Sequence, residues 1–173
     1  KLPAGCYLVY RAGQVVVRRY WDIPACPETS ASLRRRNLPA IMDELYALLK
    51  ESVRLRLVSD VPLGAFLSGG IDSATIVGLM RELGASPLKT FSIGFGERAY
   101  NELRYARRVA ERFGTEHEEL TIEPKALELT EKLIRHLDEP FGDFSIFPTY
   151  LVSRMARGYV KVALSGDGGD EVF

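Results

Sequence analysis

The sequence predicts an α/β fold: a parallel sheet with helices on both faces, preceded by a short β-hairpin. Three observations predict it. From residue 64 onward, short apolar runs of strand length alternate with stretches of helical periodicity. Strands that alternate with helices are joined by crossovers, and crossovers give parallel pairing. Two glycine-rich loops, residues 68–73 and 165–170, each follow an apolar run directly. Ligands of such sheets sit at the carboxyl ends of the strands, which is where both loops fall.

The elements follow in order. Residues 6–11 and 14–20 are β-rich and are separated by Ala12-Gly13, a hairpin signal. Residues 24–36 carry prolines, small polar residues and the run Arg34-Arg35-Arg36, and read as a linker. The arginine run is short and lacks interleaved aromatics, so it reads as a solvated stretch. Ile41, Leu45, Leu48, Leu49, Ser52 and Val53 recur with a period of about 3.6 residues, so residues 39–57 read as an amphipathic helix. A strand at 64–67, a helix at 73–83 and a strand at 89–95 come next. A helix at 101–113 ends at Gly114, a suitable residue just past a helix C-terminus. A strand at 116–121, helices at 125–137 and 147–157, and a last strand at 159–164 complete the series. The expected organisation is a hairpin at 1–23, a linker at 24–36 and the main domain at 37–173.

The bulk numbers narrow the classes. A chain of 173 residues suits one domain with a fringe of a second. Its 23 basic and 23 acidic residues cancel, so nothing global points to nucleic acid or a membrane surface. No apolar run is long enough to span a bilayer and no signal peptide is visible, so a cytoplasmic location is expected. Cys6 and Cys26 lie far apart with no CxxC pairing, which suits a reducing compartment. Neither has a nearby His or Asn that would mark a nucleophile, and both read as ordinary reduced residues. The start inside a hairpin and the stop just after a glycine loop suggest a piece of a longer polypeptide.

The first loop, Ser68-Gly69-Gly70-Ile71-Asp72-Ser73, lies between Ala65-Phe66-Leu67 and a helix-like run. Strand, glycine turn and helix is the layout that aims backbone N–H groups and a positive helix end at an anion. Glycines let the backbone come close to a bound group, and a side chain at Gly69 is expected to enter the path of a phosphate. Ser68 and Ser73 carry hydroxyls able to donate to phosphate oxygens, and Asp72 can hold a metal ion. The loop lacks the lysine and the spacing of a Walker A motif. The second loop, Ser165-Gly166-Asp167-Gly168-Gly169-Asp170, brings carboxylates to the end of another strand. Taken alone, either loop also reads as a tight turn. Together, Asp72, Asp167 and Asp170 are placed to converge on one Mg²⁺, an ion that takes few protein ligands alongside phosphate oxygens.

These residues carry a family resemblance. The first loop resembles the SGGxDS pyrophosphate loop of the ATP pyrophosphatase (PP-loop) families. The run Val61-Pro62-Leu63-Gly64 through Ser73 is similar to the ATP-binding loop of the glutamine-hydrolysing asparagine synthase family. So is Phe91-Ser92-Ile93-Gly94-Phe95 to its second strand, and Tyr100-Asn101-Glu102 through Gly114-Thr115-Glu116-His117 to its next helix and turn. Asp138-Glu139-Pro140-Phe141 with Pro148-Thr149-Tyr150, and Leu164-Ser165 through Asp170-Glu171, complete the series of five motifs. The match runs from about residue 37 to the end. The opening stub, Leu2-Pro3-Ala4-Gly5 through Tyr20-Trp21-Asp22, resembles the last hairpin of the family's N-terminal glutaminase domain.

The resemblance implies an adenine nucleotide alpha hydrolase-like, Rossmann-like sheet and a ligase that forms a C–N bond. ATP activates a carboxylate, aspartate in the namesake enzymes, as an acyl-adenylate. Pyrophosphate leaves, and ammonia from glutamine attacks to give the amide. Carried over by motif, Ser68, Gly69, Gly70, Asp72 and Ser73 bind the pyrophosphate portion of ATP. Asp72 and Asp170 hold Mg²⁺. Leu67, Ile93, Ser165 and Gly166 line the adenosine part, largely through backbone groups. Asp167, where some members carry Glu, is the catalytic candidate that orients substrate or ammonia. The implied partners are small-molecule substrates and a glutaminase domain in the full-length chain, with neither nucleic acid nor membrane. The glutaminase nucleophile, an N-terminal cysteine, has no counterpart in Cys6 or Cys26. The acceptor carboxylate and the oligomeric state, a homodimer included, stay open. Relatives that act on peptides, sugar precursors or β-lactam-type rings, and a nucleotide-binding module without turnover, are the alternatives.

Of the remaining polar residues, His117 reads as a structural or surface histidine and His136 as a cation at a helix end. Asp138, Glu139 and Asp143 fit either a substrate-side acidic group or a helix terminus and turn. Tyr20 and Trp21 read as packing residues for a neighbouring domain. Two cysteines and two histidines at these spacings make no zinc site.

Overall fold

A computed structural model describes residues 1–23, 37–96, 101–122, 129–137 and 141–171. The linker at 24–36, Cys26 and the Asp138-Glu139-Pro140 motif lie outside the described residues. The chain divides into two compact units, Lys1–Leu45 and Tyr46–Phe173.

In the first unit, strands β1 (Cys6–Arg11) and β2 (Gln14–Arg19) pair antiparallel, with Arg11 opposite Gln14. The two connecting residues, Ala12 and Gly13, both have positive φ, 50° and 81°. That is the requirement of the turn whose twist matches a tight hairpin. Apolar side chains on both faces of this ribbon are exposed, among them Tyr7, Leu8, Val9, Val16 and Val17.

The second unit holds the sheet. Helix α1 (Leu38–Arg56) crosses the division, and its Val53 is buried in the second unit's core. Then come β3 (Leu63–Phe66), α2 (Ile71–Glu82), β4 (Lys89–Phe95), α3 (Leu103–Phe113), β5 (Glu116–Ile122), α4 (Thr130–Leu137), α5 (Ile146–Ala156) and β6 (Val162–Leu164). The four strands are all parallel, in the order β5-β4-β3-β6.

Alternation along the strands divides the core in two. Ala65, Leu67 and Leu164 pack with Val77 and Met80 of α2 and Ala106 and Ala110 of α3. Phe91 packs on the other face with Val152 and Ala156 of α5 and with Val160. Helices therefore cover both faces, as the alternation predicts. Phe91 is fully buried, so its truncation to Ala costs about 3–5 kcal/mol.

Several boundaries differ from the sequence reading, and for three of them the structure shows a local reason. Helix α2 starts at Ile71 and not at residue 73, which puts Asp72 in its first turn. Helix α3 starts at Leu103, whose N–H is taken by the Asn101 side chain at 3.0 Å ahead of the N-cap Glu102. The last strand starts at Val162, because the Tyr159 and Val160 N–H groups are both taken by the Ala156 carbonyl, at 2.9 and 2.8 Å.

Candidate functional site

The strand order decides where a site can form. From β3 the chain winds outward through β4 to β5, then returns to add β6 on the other side of β3. The switch point therefore lies between β3 and β6, and ligands of open parallel sheets bind in the crevice beyond the strand ends there. The first glycine loop leaves β3 and the second leaves β6. These neighbouring strands pair Leu63 with Val162 and Ala65 with Leu164, so both loops emerge together.

The first loop is held from within. The Leu67 N–H donates to the Phe91 carbonyl at 2.9 Å, and the buried Ser92 hydroxyl donates to the Leu67 carbonyl. With its side chain in the core, Leu67 gives the loop its root. Ser73 is buried, and its hydroxyl accepts the Ser68 N–H at 3.2 Å. It also lies 2.9 Å from the Ser68 hydroxyl and 3.3 Å from the Gly70 carbonyl. The Ser68 hydroxyl accepts the Gly70 N–H at 3.2 Å. Ser73 is thus a brace of the loop, a role the sequence reading did not assign to it. Among the described residues no side chain caps α2, so its first-turn N–H groups face the positive end of the helix, where an anion is favoured.

Gly69 has φ +88°, and a Cβ on it would meet the Ala106 N and the Tyr105 Cβ, each at 2.6 Å. The expectation for Gly69 is corrected here. Its missing side chain makes room for the start of α3, and a substitution would collide with that helix before reaching any phosphate.

The second loop closes as a turn, with the Gly169 N–H donating to the Gly166 carbonyl at 3.2 Å. Gly168 between them has φ +92°, the left-handed value that a type II turn requires at that position. Both ends of the turn lie against the start of α2. A Cβ on Gly166 would come within 2.7 Å of the Ser73 N, and one on Gly169 within 2.6 Å of the Asp72 Cγ. The tip residue Asp167 is exposed, and the Ser165 hydroxyl donates to its Oδ2 at 3.0 Å. Asp170 follows Gly169 and is exposed.

Among the described residues, the Asp72 and Asp170 carboxylates have no hydrogen-bond or ion-pair partner. Glu51, Glu82, Glu116, Glu119 and Glu131, by contrast, are each paired with a Lys or Arg. Unpaired carboxylate oxygens beside a helix N-terminus suit a hard cation such as Mg²⁺ in company with phosphate. No group of three metal-ligating side chains is found among the described residues, so the convergence of all three aspartates is not seen. Of the three, Asp72 and Asp170 are those whose carboxylates have no partner among the described residues, while Asp167 accepts from Ser165.

Other candidates fall elsewhere. Ile93 pairs with Leu120 and packs on the α5 side, half-buried. His117 lies near the amino end of the edge strand β5, its Nδ1 2.8 Å from the Thr90 hydroxyl. Its Nε2 is buried, lies 3.3 Å from a Glu119 oxygen and makes no well-aligned hydrogen bond. Burial pushes its pKa below the ordinary histidine value, against the pull of Glu119. It is a structural histidine. His136 Nδ1 meets the Lys132 carbonyl at 2.8 Å in the last turn of α4. Asp143 accepts the Ser145 N–H at 2.8 Å and its hydroxyl at 2.7 Å, so it caps the entry to α5. The backbone N–H and then the hydroxyl hold its carboxyl below the usual range. The residues that sequence reasoning missed are Ser92, Tyr105, Ala106 and Gly169. The signal for Ser92 was a serine in an apolar strand, and for Gly169 a glycine beyond what one turn needs.

Residues 44–173 match the family model described as asparagine synthase. A protein of Methanocaldococcus jannaschii named as a glutamine-hydrolysing asparagine synthetase is 45% identical over all of this chain and 33% of its own length. Asparagine synthetase (glutamine-hydrolysing) 1 of Bacillus subtilis is 40% identical over 77% of the chain and 21% of its own length. The chain thus spans about a third or less of these relatives. Among solved structures, the glutamine-dependent NAD⁺ synthetase of Acinetobacter baumannii, in complex with ADP, superposes with a TM-score of 0.55 at 18% identity. That alignment covers 90% of this chain and 29% of the other, and it speaks for the fold.

Proposed function

From the premise that the chain belongs to the asparagine synthase family, we propose that it is the ATP-binding core of a glutamine-dependent amide-forming ligase. The observation that carries this reading is the meeting of two glycine loops at the β3–β6 switch point, one of them laid on the first turn of α2. The first-turn N–H groups of α2 and the Ser68-Gly69-Gly70 backbone receive the pyrophosphate portion of ATP. Asp72 and Asp170 would hold Mg²⁺, which would supply charge neutralisation to departing pyrophosphate. Ser165 and Gly166 border the nucleoside side, which Leu67 and Ile93 line largely through backbone groups. Asp167 stands exposed at the tip of the second loop, oriented by Ser165, where it can position a carboxylate or ammonia.

The reaction begins when a carboxylate oxygen attacks the α-phosphorus of ATP and the bond to pyrophosphate breaks. Ammonia then adds to the acyl carbon and AMP departs. Positioning and charge neutralisation by backbone dipoles are the protein's contribution. Ammonia comes from a glutaminase domain, and the exposed apolar faces of the β1–β2 ribbon suit packing against one. No helix among the described residues is long and apolar enough to cross a membrane.

The test is exchange of labelled pyrophosphate into ATP by the full-length protein with aspartate present. Aspartate-dependent exchange is expected; ATP binding without exchange would leave a nucleotide-binding module and sink the reading. A second reading keeps the activation step and changes the acceptor. An apolar cleft of about 670 Å³ opens at the carboxyl ends of β4 and β5, lined by Phe95, Ile122, Leu133, Ile134, Phe144 and Phe147 among others. It favours a carboxylate with an apolar body, and exchange driven by such acids but not by aspartate would select it.

A further inference from the structure

We infer that Gly169 is a positioning residue for the metal-binding carboxylate: it acts through Asp72, by having no side chain. The inference rests on the nucleotide-site reading above.

The turn from Gly166 to Gly169 touches α2 at both of its ends. Gly166 lies over the Ser73 N, and Gly169 lies over the Asp72 carboxyl carbon. An added Cβ at Gly169 would stand 2.6 Å from Cγ, 2.9 Å from Oδ1 and 3.0 Å from Oδ2 of Asp72. Real Cβ atoms do not approach other atoms so closely, so one partner must move. The turn is held by its own Gly169-to-Gly166 hydrogen bond and is rooted in β6 through the buried Leu164. The Asp72 carboxylate has no partner among the described residues. The carboxylate is therefore the part that yields. As it swings away, it leaves its place at the first turn of α2 beside the second loop. Nothing about backbone conformation demands a glycine here, because the positive φ of this loop belongs to Gly168. The demand at Gly169 is one of space beside a carboxylate. The second loop thus does two things at the switch point: it supplies Asp170, and its backbone forms the wall that sets the Asp72 side chain.

Gly168 provides the control. It carries the strained φ of +92°, yet a Cβ on it would meet nothing within 4 Å. Gly168→Asn, a residue that accepts left-handed backbone, perturbs the same turn without touching Asp72.

The experiment is calorimetric titration of the full-length protein with ATP, in Mg²⁺ and in EDTA, beside thermal unfolding. Gly169→Ala is expected to weaken Mg²⁺-dependent ATP binding at least tenfold and to leave the metal-free affinity within twofold. Gly168→Asn is expected to keep the Mg²⁺ dependence. Asp72→Ala removes the atoms in the way, so adding Gly169→Ala to it should change neither Mg²⁺ dependence nor unfolding midpoint further. A Gly169→Ala protein that responds to Mg²⁺ like the parent would overturn the inference while leaving the nucleotide site in place. So would an equal loss in Gly168→Asn, or losses that add in the double variant. A parent protein without Mg²⁺-dependent ATP binding would overturn the nucleotide-site reading itself, and this inference with it.

Discussion

The two glycine loops stand side by side at one end of the sheet and are built on different principles. The first is closed by side-chain hydroxyls: Ser68 and Ser73 of the loop itself, and the buried Ser92 of β4, bind N–H and carbonyl groups in and around it. The second has one backbone bond across its turn and one hydroxyl on Asp167. Its position comes from close approach, with Gly166 and Gly169 lying against residues of α2. A loop braced by hydroxyls keeps its shape through local bonds. A loop placed by missing side chains keeps its shape through a neighbour that is distant in the chain.

The sharpest way to break this contrast is at Gly69, the one position where the first loop also depends on close approach. Gly69→Val adds atoms against the Tyr105–Ala106 backbone and forces a branched residue into φ +88°. A loss of about 3 kcal/mol or more is expected from overpacking plus left-handed strain. Chemical denaturation checks it, and an unchanged midpoint would mean that α3 does not press on the loop. Asp72→Ala is the functional counterpart. Its carboxylate has no partner among the described residues, so stability should change by less than about 1 kcal/mol, mainly through the helix dipole. Mg²⁺-dependent ATP affinity should fall at least tenfold by calorimetry; a variant that still responds to Mg²⁺ would remove Asp72 from the metal.

Smaller effects sharpen the comparison. Ser73→Ala leaves the Ser68 N–H without its acceptor and should cost about 1–2 kcal/mol in urea unfolding. Ser165→Ala in the second loop should cost less than about 0.5 kcal/mol, since its bond is at the surface. Equal losses would erase the distinction between the loops. The smallest expected effect lies away from both, at His117. Its folded pKa is below the ordinary 6.5, so the unfolded chain takes up this proton first as pH falls. The stability contribution is complete above about pH 6.5 and is lost below it, toward the folded pKa. Replacing His117 with Gln should flatten the stability-against-pH curve in that window and leave nucleotide binding unchanged.

Much of the fold was legible in the sequence, for particular reasons. Val77 and Met80, and Ala106 and Ala110, recur at helical spacing because one helix face is buried, and that spacing is visible without a structure. Gly114 ends α3 in the left-handed region, and only local geometry is needed to foresee it. The first loop was legible because strand, glycines and helix are contiguous. The brace role of Ser73 was not, since a buried hydroxyl and an exposed one are the same letter. Ser92 was hidden for a related reason: it lies far from Leu67 in sequence, and only strand pairing brings them together.

By itself, the sequence determined the alternation of strands and helices, the two glycine turns and the acidic residues they carry. These follow from short-range preferences, from periodicity and from the conformations that glycine allows. Only the tertiary structure decided that β6 returns to the far side of β3, so that a turn at Gly166 to Gly169 lies on Asp72. Strand order is a global choice made by burying both sheet faces at once. Whether a glycine serves a turn or clears space for a carboxylate depends on which atoms that choice brings near it.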